Sequence, residues 1–141
     1  MTTIIRQLEI YKRALDAADK PFPEELPMRR EVFVAPSREE ALRLCGPYLA
    51  NKYENYTDWG QSDQLPDDDS KLDQAFADLI GDRFLLGSPD EVAEQIIDLN
   101  RHIGTNHLIM SMDWPGMPKS TTLDCLQLFA EEVAPQVRSG L

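Results

Sequence analysis

The amino-acid sequence predicts an α/β fold in which about three parallel strands are covered by helices. The first observation is a strand–helix–strand pattern between Phe84 and Met112, where two short apolar runs flank a stretch of helical spacing. Two parallel strands joined by a helix form a right-handed βαβ unit. The second observation is another strand followed by a helix between Arg29 and Cys45. Alternating strands and helices of this kind indicate a parallel sheet.

Length, charge and cysteine content narrow the class of protein. A chain of 141 residues predicts one domain, 1–141, and 42% apolar residues allow a hydrophobic core. The net charge of −11 argues against nucleic acid or an anionic membrane as a partner, since both attract basic surfaces. No apolar run reaches the roughly 18 residues of a membrane span. Cys45 and Cys125 are interpreted as reduced thiols, which predicts a cytoplasmic protein.

The first half of the chain predicts helix, strand and helix. Apolar residues recur at helical spacing in 1–20, and prolines then end this helix. Residues 29–35 form a strand that stops at a proline. Ser37 and Glu40 have the spacing of a capping box, so the second helix begins there. We expect Gly46-Pro47 to kink or divide that helix.

A polar stretch occupies the middle of the chain. We predict a mobile loop at 60–72, because this stretch is rich in Asp, Ser, Gly and Pro. Its Asp67–Asp69 triplet lacks the spaced ligands of a calcium loop, so it is interpreted as solvated and no metal site is predicted. Leu72, Phe76 and Ile80 predict a short helix after this loop.

The βαβ unit is the best defined part of the pattern. Its first strand is 84–86. Ser88 and Glu91 form a second capping box, and Gly104 takes the left-handed conformation that ends a helix. The second strand, 107–112, is apolar at both alternating sets of positions, which predicts a strand buried on both faces.

The chain ends with a turn and a helix. Asp113–Pro118 contains two prolines and a glycine directly after a strand, which fixes a turn. Ser120 or Thr121 is expected to cap the last helix, and Pro135 to kink or end it. The predicted buried face of this helix comprises Leu123, Leu126, Phe129, Val133 and Val137.

Several motifs in this order are similar to one family. The segments at 83–94 (RFLLGSPDEVAE), 107–118 (HLIMSMDWPGMP) and 128–137 (LFAEEVAPQV) resemble the C-terminal portion of luciferase-like monooxygenases. The segments at 56–61 (YTDWGQ) and 11–15 (YKRAL) are also similar to one bacterial subgroup of that family. The resemblance extends over nearly the whole chain.

The resemblance implies a fold larger than this chain. The family has a (β/α)8 TIM barrel, in which active sites are built from loops after several different strands. This chain is then a partial barrel that supplies the last three or so βα units. Three parallel strands alone leave two unpaired edges and cannot close a barrel.

The resemblance also implies chemistry. Reduced flavin activates oxygen in this family, and the oxygen is then inserted into a small organic substrate. FMN is the expected cofactor, and a deazaflavin coenzyme is the alternative. Because the early strands hold most of the flavin in family members, this chain by itself is also compatible with binding no cofactor.

Three residues are candidate cofactor contacts. Ser88 begins a helix, where free N–H groups suit a phosphate, but a simple helix cap is the alternative interpretation. Arg83 suits an anionic group, or a surface ion pair with Asp82 or Asp78. Trp114 suits packing against the flavin, or anchoring of the turn on the last helix.

Four residues are candidate substrate contacts. Tyr56, Trp59 and Gln61 are interpreted either as a lid over the substrate or as an aromatic packing cluster. Asp113 suits a hydrogen bond to substrate, or stabilisation of the turn backbone. No catalytic residue is identified, because the sequence has no nucleophile–base arrangement with a known spacing.

Three hypotheses about function follow. The chain is the C-terminal part of a flavin-dependent monooxygenase and is incomplete alone. Alternatively, it is a non-catalytic subunit that pairs through exposed strand edges, with a copy of itself or with a complementary barrel chain. The third hypothesis is a separate α/β domain that binds a small molecule.

Overall fold

The computed structural model describes residues 2–59 and 83–141. The loop predicted at 60–72, with Gln61 and Asp67–Asp69, and the helix predicted around 72–80 lie outside the described residues. In chain order the elements are α1 (Thr2–Ala17), β1 (Pro27–Val34), α2 (Arg38–Asp58), β2 (Phe84–Gly87), α3 (Pro89–Ile103), β3 (His107–Ser111), α4 (Lys119–Leu128), a π-helical turn (Phe129–Val133) and α5 (Ala134–Gly140).

The described strands form one parallel sheet, as the sequence predicts. Its order is β2-β1-β3, so β1 lies in the centre. Residues 31–34 of β1 pair with β2, and residues 27–31 pair with β3. In a (β/α)8 barrel, consecutive strands are neighbours, which would give the order β1-β2-β3. Here β1 instead has β2 on one side and β3 on the other, so the order of the described strands differs from that of a barrel.

The predicted start and end of the helix between β2 and β3 are confirmed. The hydroxyl of Ser88 accepts a hydrogen bond from the Glu91 N–H, and the Glu91 carboxylate accepts one from the Ser88 N–H. Gly104 ends the helix with a φ of 82°. The inner face of α3 packs against the sheet through Val92, Ala93, Ile96, Leu99 and Ile103.

The structure corrects the prediction for β3. The apolar pattern predicts a strand buried on both faces, but Ile109 is 48% exposed and Met110 is 37% exposed. These side chains lie on opposite faces because successive residues of a strand alternate. The exposure arises because β3 has its main contact with β1, whereas α2 and α3 both pack on β2.

The last helix differs from its prediction in two ways. Val133 is buried, and Phe129 and Val137 pack against the core, as predicted. However, Cys125 is buried as well, whereas Leu123 is 63% exposed and Leu126 is 44% exposed. The residue before α4 is Pro118, and no side chain caps this helix, so the predicted cap at Ser120 or Thr121 is wrong.

Two prolines lie inside helices, Pro47 in α2 and Pro135 in α5. Pro47 lies inside α2, which stays one element from Arg38 to Asp58. Before Pro135, the N–H of Ala134 bonds to the carbonyl of Phe129, five residues back. A π turn thus precedes the proline, and the chain continues helically to Gly140. In the described ranges, no helix combines the length and apolar character needed to cross a membrane.

Candidate functional site

The carboxyl ends of the strands lie together at one end of the sheet, which is called the carboxyl edge. This edge is distinct from the two edge strands, β2 and β3. In parallel α/β sheets, ligands bind in crevices outside this edge. Ala35 follows β1, Ser88 follows β2, and Met112 and Asp113 follow β3. The predicted contacts Ser88, Asp113 and Trp114 are therefore brought to the same end of the sheet.

Ser88 has few groups left for a ligand. Its N–H donates to the Glu91 carboxylate at 2.8 Å, and its hydroxyl accepts from the Glu91 N–H at 3.4 Å. The Glu91 carboxylate thus occupies the positive end of the α3 dipole, where a phosphate would otherwise bind. The geometry is that of the helix cap, the simpler of the two interpretations of Ser88.

Among the predicted contacts that the structure describes, Trp114 is the most buried. The side chain is 3% exposed and packs on Phe33, with ring centroids 6.1 Å apart and planes at 43°. The indole N–H finds no acceptor among the described residues. Buried donors in native proteins are normally paired, so this N–H marks a position where an acceptor is missing.

An open cleft of about 450 Å³ adjoins the turn after β3. Asp113 lies at its wall and accepts a hydrogen bond from the Thr122 hydroxyl at 3.2 Å. This bond ties the turn to the first turn of α4, which fits the backbone-stabilising interpretation of Asp113. The cleft is lined by Asp113, Trp114, Pro115, Gly116, Met117, Lys119, Thr122 and Leu123.

A second cleft, of about 500 Å³, lies beyond the end of β1 between α2 and α4. The sequence did not predict this cleft, because its walls come from distant segments. Phe33–Pro36 form part of its lining, and Glu40, Asp124 and Glu131 also line it. The Arg43 side chain hydrogen-bonds Glu40 and lowers the pKa of that carboxyl.

Cys125 also lines the second cleft, without being a nucleophile. Its sulfur accepts a hydrogen bond from the Val34 N–H at 3.2 Å, and the side chain is 1% exposed. Burial raises the pKa of Cys125 to about 11. The reactive form of cysteine is the thiolate, so this thiol is inert at neutral pH.

The other predicted contacts within the described residues lie near the amino ends of the strands, opposite the carboxyl edge. Arg83 directly precedes Phe84, the first residue of β2. The Tyr53 ring is 5.3 Å from Phe84, Tyr56 is 5.7 Å from Tyr53, and Trp59 is 5.9 Å from Tyr56. Tyr56, Trp59 and Arg83 are therefore near the amino end of β2, away from the carboxyl ends of the strands.

A buried ion pair near these aromatic rings was not predicted. The Lys52 ammonium donates to one carboxylate oxygen of Glu31, and their side chains are 15% and 9% exposed. The other oxygen of Glu31 has no partner among the described residues. Lys52 also lies 5.5 Å from the Tyr56 ring centroid. There is little sequence signal for this pair, because Glu31 follows Arg29 and Arg30 in the charged first half of β1.

These residues provide positioning and packing groups. Within 2–59 and 83–141, no three His, Cys, Asp or Glu side chains are grouped to hold a metal ion. The carboxyl-edge clefts combine aromatic, apolar and a few polar walls, which suits a small organic molecule. Fold and clefts thus define an α/β protein with a parallel sheet and a concave carboxyl edge.

Two solved structures are similar to this chain. Monooxygenase RslO1 from Streptomyces bottropensis matches 94% of this chain at 24% identity, with a TM-score of 0.63. The other is the oxygenating constituent of 3,6-diketocamphane monooxygenase from the CAM plasmid of Pseudomonas putida, a type II Baeyer-Villiger monooxygenase in complex with FMN. It matches 95% at 25% identity, with a TM-score of 0.66.

The matches cover 37% of the first protein and 40% of the second. This chain therefore spans about two-fifths of the length of the structures it resembles. No family model matches the chain, and no curated protein matches it either. The comparisons support a partial domain that is similar to flavin monooxygenases.

Proposed function

We propose that this chain is the C-terminal part of a flavin-dependent luciferase-like monooxygenase and supplies a portion of its (β/α)8 barrel. The observation that carries the proposal is the match of 94–95% of the chain to two monooxygenases about two and a half times as long. The substrate is a small organic molecule. The buried free thiols fit a cytoplasmic location.

The carboxyl edge fits part of a bound FMN. Trp114 and Met117 offer an apolar wall beside the cleft, and the buried indole N–H of Trp114 has no acceptor among the described residues. The phosphate fits less well, because Glu91 fills the start of α3 and Arg83 lies at the opposite edge. Phosphate contacts therefore come mainly from the rest of the barrel.

The flavin, when bound, supplies the oxygen chemistry, and the described residues position and shield it. Phe33 holds the Trp114 ring from within the sheet, and the bond from Thr122 to Asp113 fixes the turn that carries it. The buried tryptophan excludes water from this side of the cleft. FMN is proposed over a deazaflavin because a structural neighbour is in complex with FMN.

Binding of FMN to a completed barrel tests the proposal. The chain is co-expressed with a complement segment, defined as the three-fifths of the 3,6-diketocamphane protein that the match leaves uncovered. FMN and a deazaflavin are then titrated by fluorescence into the purified complex. We expect FMN to bind, and Trp114→Phe to weaken binding at least tenfold.

The control variant is Trp59→Phe, at the opposite edge, where the side chain is 69% exposed. Its FMN affinity should equal that of the unchanged chain. A complex that binds no FMN, or that binds only the deazaflavin, contradicts the proposed cofactor. Equal FMN affinity in both variants contradicts the role of Trp114.

A second candidate function is that of a non-catalytic subunit that pairs through a strand edge. The exposed apolar residues Ile109 and Met110 of β3 favour it. In this case the chain assembles with its own copy or with a complementary barrel chain, and no flavin binds. Sedimentation velocity of the purified chain distinguishes a monomer from a self-associated form.

A further inference from the structure

The cleft between α2 and α4 lies where the connections of the sheet diverge. From β1 the chain reaches β2 by way of α2, and from β2 it passes back across β1 to β3. Since connections between parallel strands are right-handed, these opposite directions place α2 and α3 on opposite faces of the sheet. Both faces of β1 are covered as a result, and Val32, Phe33 and Val34 are at most 2% exposed.

The segments after β1 and β3 therefore separate at the carboxyl edge. After β1 the chain enters α2, whereas after β3 it ends beside α3, where the Gln136 amide donates to the Asp90 carboxylate at 2.8 Å. In open α/β sheets, ligands bind at such a topological switch point. The cleft of about 500 Å³ lies there, because Leu44 of α2 lines one wall and Leu128 of α4 lines the other.

The lining of this cleft combines apolar surface with negative charge. Phe33 is buried in the sheet, and Leu44 and Leu128 are half-buried on the helices. The described lining contains no Lys, Arg or His, and its carboxylates are those of Glu40, Asp124 and Glu131. A cleft lined by charges of one sign concentrates small ions of the opposite sign.

Two of these carboxylates have no cation beside them. Glu40 is paired with Arg43 on the same helix. Glu131 accepts a hydrogen bond from the Gln127 side chain at 2.9 Å, and that amide is uncharged. Among the residues that the structure describes, neither Asp124 nor Glu131 has a Lys or Arg partner. Both side chains therefore present uncompensated charge to the cleft.

We infer that this cleft binds a small organic cation, in which an ammonium group is attached to an apolar body. The ammonium donates charge-assisted hydrogen bonds to Asp124 and Glu131, and the body packs on Phe33, Leu44 and Leu128. An inorganic metal ion fits less well, since within 2–59 and 83–141 no three His, Cys, Asp or Glu side chains are grouped to hold one.

The occupant also differs from the flavin of the proposed function. FMN carries a phosphate, which the acidic lining repels. The organic-cation site is therefore separate from the cleft beside Trp114, and it does not depend on completion of a barrel.

Calorimetric titration of the purified full chain tests the ligand class. Phenethylammonium and cyclohexylammonium are the cationic probes, and phenethyl alcohol and phenylpropionate carry the same ring on an uncharged and an anionic group. We expect the cations to bind, with an affinity that falls as sodium chloride is raised, because salt screens the carboxylates. We expect neither of the other two compounds to bind.

Two neighbouring glutamates provide a matched pair of variants. Glu131 and Glu132 both lie in the π-helical turn and are both exposed, but Glu132 is not part of the cleft lining. Glu131→Gln should weaken binding of phenethylammonium about tenfold, since it removes one charged acceptor. Asp124→Asn should do the same, and Glu132→Gln should bind as the unchanged chain does. Circular dichroism verifies that all three variants are folded.

Three results would overturn the organic-cation site. The first is that neither ammonium compound binds. The second is that phenethyl alcohol binds as tightly as phenethylammonium, which would make the cleft a purely apolar one. The third is an equal loss in Glu131→Gln and Glu132→Gln, which would assign the binding to the overall negative charge of the protein.

Discussion

The two edge strands of the described sheet differ in burial although both flank the same central strand. Every residue of β2 is buried, and Leu86 is fully buried. On β3, Ile109 and Met110 are 48% and 37% exposed. Both strands are apolar in sequence, so composition does not explain the difference. It arises because α2 and α3 both pack on β2, whereas β3 has its main contact with β1.

The largest expected difference is between alanine substitutions on the two edge strands, β2 and β3. Leu86→Ala should lower the free energy of unfolding by about 2–5 kcal/mol, since it leaves a cavity at a fully buried position. Ile109→Ala should change it by no more than about 0.5 kcal/mol, because the side chain is half exposed. Urea denaturation of both variants measures this. Equal losses would show that β3 is as well covered as β2.

A second comparison concerns the central strand, where Glu31 is in register with Phe84 of β2 and Ser111 of β3. Lys52→Met should cost about 3 kcal/mol, because it leaves the buried Glu31 carboxylate without its cation. Glu31→Gln in the same chain should restore much of that loss.

The exposed pair Arg43–Glu40 is the control for this buried pair. Arg43→Met should hardly change the urea midpoint, since exposed ion pairs contribute little. If Lys52→Met and Arg43→Met lowered the urea midpoint equally, burial would not explain the effect of the Glu31–Lys52 pair.

The buried thiol of Cys125 shows that α4 has a buried side despite its exposed leucines, and the Cys45 thiol is buried on α2. Burial raises the pKa of Cys45 to about 12 and that of Cys125 to about 11, from 9.0. The folded state then holds protons that the unfolded state loses, so stability is complete below pH 9.0 and declines as the pH rises toward these values.

At pH 10 the loss relative to pH 8 should be about 1 kcal/mol per thiol. Urea denaturation at both pH values measures it. The variant Cys45→Ala/Cys125→Ala should show a smaller decline, even though it is less stable at pH 8. The same decline in the variant would assign the pH dependence to other groups.

The smallest expected effect concerns the helices that follow the two edge strands, α3 after β2 and α4 after β3. Ser88→Ala removes the cap of α3 and should cost about 1 kcal/mol. Ser120→Ala lies in the first turn of α4, which has no side-chain cap, and should have almost no effect. Thermal unfolding followed by circular dichroism compares them. A large effect of Ser120→Ala would reveal a cap at α4.

Local signals explain why much of the fold was predictable. The α3 helix was predicted from the capping box of Ser88 and Glu91, which are three residues apart, and from Gly104, which ends the helix sixteen residues after Ser88. Strands β1 and β2 were predicted from short apolar runs next to a proline or a glycine. The paired strands and the capped helix were thus encoded within short stretches of sequence.

The candidate site was less predictable, because it depends on which ends of the elements meet. Tyr56 and Trp59 were grouped with Asp113 as substrate contacts, but α2 carries these aromatic rings to the amino edge of the sheet. The cleft between α2 and α4 joins Glu40 to Asp124, which are far apart in the chain. No short sequence pattern records such a contact.

The sequence by itself determined the strands, the helices and the parallel class of the sheet, because periodicity, caps and proline positions act over a few residues. The tertiary structure alone decided that β1 lies between β2 and β3, that Glu31 pairs with Lys52, and that β3 stays exposed. These features depend on long-range packing, where apolar residues specify burial without specifying the partner that provides it.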